Sequence, residues 1–127
     1  MAFTFAGPTV SGHIDEREVI LFDMLRLLDL KVPLLDYLEK DFYESPSIAR
    51  EQVAELRHEA LQALRALNAQ RDRPNVFERA LAAQTPVFRE MAKRALKPWD
   101  PERCLASLVV VCDDALEHNA GIDCLSD

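Results

Sequence analysis

Glycine is scarce, with three in 127 residues, too few for a phosphate-binding loop whose tight turns need it at fixed spacing. Neither G-x-S-x-G nor C-x-x-C occurs, so the local signatures of an activated serine or a redox dithiol are missing. Long apolar runs are missing too. The run from Leu108 to Cys112 is among the longest and is far too short to span a bilayer. The first thirteen residues lack a basic region and a long apolar stretch, which argues against a secretory signal and for the cytoplasm.

Cysteine is present three times, as Cys104, Cys112 and Cys124, and an odd count leaves at least one thiol unpaired. On one helix, Cys104 and Cys112 would be about 12 Å apart, too far for a disulfide. Buried free thiols are the expectation.

Basic charge is thin at both ends. Residues 1–45 hold nine Asp/Glu against four Lys/Arg, and residues 104–127 hold five Asp/Glu and no Lys/Arg. The middle, 46–103, has eight acidic and eleven basic residues, and the whole chain carries −7. A pI near 4.9 argues against non-specific binding to nucleic acid, which needs clustered Lys/Arg, and against an anionic membrane surface. Acid gathered into two segments suits a basic protein partner.

Leu, Ala, Glu and Arg are abundant, and the chain length fits one domain over 1–127. Residues 1–13 show no helical period. They read as an extended arm, at most a short strand, packing Phe3 and Phe5 on the body. Asp15 and Glu18 have capping-box spacing and are expected to open a first helix, whose apolar residues run from Val19 to Leu30. Pro33 suits the first turn of a second helix carrying Leu34, Leu35, Leu38 and Phe42, with Asp36 and Glu39 on its polar side. Ser45-Pro46 is expected to cap a third helix over about 46–70, with Val53, Leu56, Ala60, Leu64 and Leu67 as its stripe.

The segment Arg71 to Pro74 is the most polar break. Asn75 and Glu78 start a helical phase that passes through Thr85-Pro86, where it kinks or breaks tightly. Asp100-Pro101 is expected to cap the last helix, with Leu105, Leu108, Val109, Cys112 and Leu116 as its stripe. Val109 to Val111 is β-branched, but its setting between D-P-E-R and an acidic run favours helix. Gly121 is expected to close that helix in the left-handed conformation, leaving a short tail over 122–127. The fold class expected is all-α, a single-domain bundle of five to six helices with a short extended N-terminal arm.

The chemistry candidates are few. Glu55-x-x-His58 has the spacing of carboxylate-bridged di-iron bundles, but those sites need two such motifs. His58 also falls off the apolar stripe, so a solvated helix face is the simpler reading. Asp113, Asp114, Glu117 and His118 form i,i+4 pairs that could grip a metal. Acid near a helix C-terminus is unfavourable for the helix dipole, which points to a role beyond helix stability. No metal or cofactor is expected, and no catalytic residue is assigned. Trp99 sits between two prolines in an inter-helix turn, where it either anchors a partner or folds back over the bundle end.

The function expected is a small acidic cytoplasmic protein-binding module of inhibitor, immunity, antitoxin or chaperone type that occludes a basic toxin or secreted effector. Its partner-binding residues would be Asp36, Glu39, Trp99, Asp113, Asp114 and Glu117. The alternative is a self-associating helical subunit, with a homodimer as its form. A third is an enzyme whose site assembles only in three dimensions.

Overall fold

The computed structural model describes residues 2–15, 20–40, 44, 46–69, 75–97 and 99–126. Among the described residues there are four strands, β1 (Ala2–Ala6), β2 (Ser11–Asp15), β3 (Ser47–Ile48) and β4 (Ile122–Ser126). Six α-helices accompany them there: α1 (Ile20–Leu27), α2 (Pro33–Lys40), α3 (Val53–Ala69), α4 (Asn75–Ala82), α5 (Pro86–Ala95) and α6 (Asp100–Glu117). A 3-10 turn at Arg50–Gln52 leads into α3.

An all-α bundle is therefore the wrong class. The chain is mostly helical but carries a four-stranded antiparallel sheet in the order β2-β1-β4-β3. The expected arm and tail are its two central strands, with Phe5 opposite both Gly12 and Cys124. A strand gains its hydrogen bonds only beside a partner. Here β1 has one partner close by, β2 across the turn after Ala6, and the other, β4, at the far end of the sequence, beyond the reach of any local pattern.

One face of the sheet is apolar and buried, formed by Phe5, Ile14, Ile48, Ile122 and Cys124. Gly12 makes room on that face, since a Cβ there would stand 2.5 Å from the Phe5 ring. Against the sheet lies α6, which touches β1, β2 and β4. The largest helix pair is α3 with α6. Arg57 near the start of α3 reaches Asp113 near the end of α6, so the two run antiparallel. Leu56, Leu105 and Leu108 are buried in this layer, each contributing roughly 1.5–3 kcal/mol through removal from water. On the far side α1 packs on α4, and α2 on α3.

Several boundaries differ from expectation for local reasons. Asp15 is the last residue of β2, opposite Ala2, and the described part of α1 begins at Ile20. Glu18, Ser45 and the break from Arg71 to Pro74 lie outside the described residues. Residues 46–49 are extended rather than helical, because the Pro46 carbonyl accepts from the Cys124 amide (2.9 Å) and Ser47 and Ile48 pair with β4. Thr85-Pro86 is a break. Pro86 opens α5, and the Thr85 hydroxyl accepts from the Phe88 amide (3.4 Å).

Asp100 belongs to α6, whose N-cap position is Trp99; the Asp100 carboxylate instead accepts from the Lys97 amide (2.8 Å). The helix ends on Asn119, not Gly121. Asn119 takes φ 51°, and the Ala120 and Asn119 amides donate to the Ala115 and Leu116 carbonyls, a Schellman closure. Gly121 serves a different need. A Cβ there would lie 2.5 Å from the Ile48 carbonyl oxygen. Val109 to Val111 is helical, as the sequence indicates.

Candidate functional site

The first turns of α3 organise the charged surface. Glu59 and Arg57 are two residues apart, hence about 200° apart around the helix, and point to opposite flanks. On one flank Glu59 is buried and accepts from the amides at the start of α2: Leu34 to Oε1 (2.9 Å) and Oε2 (3.2 Å), and Leu35 to Oε1 (3.1 Å). The N-cap position of α2 falls on Val32, which has no acceptor, so the carboxylate comes from another helix. Burial pushes the Glu59 carboxyl above its ordinary range, its two amide donors pull it down, and Glu55 and Asp36 raise it further.

Asp36 and Glu39 stand on that same flank. Glu39 forms a bidentate pair with Arg26 of α1, at 2.6 and 2.9 Å. Its carboxyl is nevertheless raised, by burial first and then by Asp23 and Asp36. Asp36 is exposed. Asp23 and Asp36 thus act on Glu39, and Asp36 and Glu55 on Glu59, across α1, α2 and α3.

On the other flank, Arg57 Nε meets Asp113 Oδ1 at 2.6 Å. Asp113 and Glu117 are exposed on the last turns of α6. The acid of the two sequence ends is thereby carried onto the two flanks of α3.

Asp114 is not on this surface. It is buried and holds the turn between β1 and β2: Oδ2 accepts from the Thr9 (2.9 Å) and Val10 (3.1 Å) amides, and Oδ1 from the Thr9 hydroxyl (2.5 Å). Those bonds, the Thr9 hydroxyl first, hold its carboxyl below the ordinary range. His118 Nδ1 lies 2.9 Å from the Asp114 carbonyl oxygen and 3.3 Å from Oδ1, and the carbonyl contact raises its pKa. The expected role of Asp114 in a partner surface gives way to this one.

Trp99 is 53 % exposed. It precedes α6, so it lies about 27 Å along the helix from Glu117 and is not part of the acidic surface. Glu55 and His58 are exposed. Among the described residues, no group of three or more His, Cys, Asp or Glu side chains could hold a metal ion. No helix there is long and apolar enough to cross a membrane. The three cysteines are buried and none is in a disulfide.

Glu59, Arg57, Arg26 and Thr9 escaped the sequence reading. Glu59 had a usable signal, since it falls between Leu56 and Ala63 on the apolar side of α3. Arg26, Arg57 and Thr9 had none, because their partners are 13, 56 and 105 residues away. No protein-family model, no curated protein and no solved structure matches this chain.

Proposed function

We propose that the protein is an acidic protein-binding module that occludes a basic protein partner, as inhibitors of immunity type do. One observation carries the reading: Asp36, Glu39 and Glu55 on one flank of α3, and Asp113 and Glu117 on the other, come from distant parts of the sequence. Arg26 and Arg57 answer Glu39 and Asp113, so the negative charge of this surface rests chiefly on Asp36, Glu55 and Glu117. Such a surface speeds encounter with a positive partner and disfavours negative ones. Asp114 and Trp99 are outside it; Trp99 supplies a separate exposed aromatic anchor.

The test is retention from the native host's lysate on immobilised wild type and on an Asp36→Lys/Glu117→Lys variant. A basic protein held by the wild type, lost by the variant and released as salt screens the contact is the expected outcome. Equal retention on both surfaces would sink the reading.

A further inference from the structure

We propose that two copies of this chain associate through the exposed face of α6, antiparallel about a two-fold axis at Val110. The exposed positions of α6 include Arg103, Ala106, Val110, Asp113 and Glu117, spaced three, four, three and four apart. That spacing places them on one face of the helix, with Val110 as the large apolar residue at its middle. The buried stripe of α6, from Cys104 through Leu108 and Cys112 to Ala115, already faces α3 and the sheet. The second stripe is exposed at each of these positions, with Arg57 of α3 reaching it at Asp113. At its centre Val110 is 55 % exposed, while Val111 beside it is buried.

Charge chooses the occupant and its direction. The face is basic at one end, where the Arg103 side chain is 76 % exposed and reaches Asp100 only at 3.5 Å. It is acidic at the other, at Asp113 and Glu117. A parallel copy would set acid against acid. An antiparallel copy turned about Val110 sets Arg103 of each chain against Glu117 of the other, and Val110 against Val110. Asp113 then falls opposite Ser107 of the second copy, with its charge already answered by Arg57. The contact is self-complementary, as a two-fold requires. One helix face is a small interface and each copy carries −7, so the dimer is weak and reversible. The inference stands on α6 alone and does not depend on a basic partner; since Glu117 serves both, such a partner and the second copy would compete for it.

Sedimentation equilibrium from about 10 µM to about 1 mM, which covers weak interfaces of this size, tests it. The wild type should show a concentration-dependent dimer. Arg103→Glu should weaken association at least tenfold, an order-of-magnitude expectation for setting acid against acid. Adding Glu117→Arg to Arg103→Glu should recover it. With the native thiols buried, a Val110→Cys variant should be joined by a short bis-maleimide. An Arg103→Cys variant should not, since its two sites would lie about 21 Å apart along the pair. A wild type monomeric throughout, a dimer indifferent to Arg103→Glu, or a double variant that fails to recover would each overturn the proposal. Far-UV circular dichroism of every variant separates loss of association from loss of fold.

Discussion

Thr9 and Asp114 are 105 residues apart in sequence and share a 2.5 Å hydrogen bond from the hydroxyl to the carboxylate. The same carboxylate accepts the Thr9 and Val10 amides, so a single side chain on α6 fixes the turn between two strands. Asp114→Ala should loosen the turn, lower the thermal midpoint and speed hydrogen exchange at Thr9 and Val10. Asp114→Asn should fall between, because its oxygen can keep both amides. Unchanged exchange at those two amides after Asp114→Ala would show that the turn holds itself.

The same site sets the pH response. Asp114 has a folded pKa below its ordinary value, so its stabilisation is present above the unfolded value, about 3.9, and is lost as pH falls through the folded one. His118 has the opposite sign. Its folded pKa is raised, so its stabilisation is complete below about 6.5 and disappears as pH rises through the folded value. Melts at pH 5.5 and 8 should show wild type losing more stability with rising pH than His118→Gln. Parallel curves would remove His118 from the account.

Glu59 offers a contrast between two substitutions. Glu59→Ala leaves the Leu34 and Leu35 amides without an acceptor and should cost about 1–3 kcal/mol in denaturant titration. Glu59→Gln keeps an acceptor oxygen and removes a carboxylate whose pKa is already raised by burial. It should lie close to wild type at pH 7. Equal losses in both would mean that the negative charge itself, and not the acceptor, holds α2.

Gly121→Ala should destabilise although the glycine has no left-handed φ. The added methyl would press within 2.5 Å of the Ile48 carbonyl oxygen, where β3 meets β4. Overpacking of this kind costs about 1–3 kcal/mol. A neutral result by thermal melt would show that β3 can shift freely.

The thiols should be inert in the folded protein. Burial pushes Cys112 and Cys124 to about 12, and Cys104 is also buried. Iodoacetamide at pH 8 should label none of them until denaturant is added, as read by mass spectrometry. Rapid labelling of the native protein would show that the sheet and α6 open readily.

By itself the sequence determined where the helices lie, though not all of their ends. The periods of α3 and α6, the turn at Pro33 and the helical state of Val109 to Val111 are local properties, fixed by spacing and by proline's missing donor, whereas Thr85-Pro86 leaves open a kink or the break it forms. It also separated acid from base, since charge is a property of composition. Only the tertiary structure decided the sheet. Phe5 alternates like a strand residue, and its partners are Gly12 and Cys124. Of those two, Gly12 is within hairpin reach and only Cys124 needs the chain ends to meet. Long-range placement likewise decides the carboxylates. Asp113 and Asp114 are adjacent and chemically identical, yet successive residues on a helix point about 100° apart. One therefore reaches solvent and Arg57, while the other turns inward to hold Thr9.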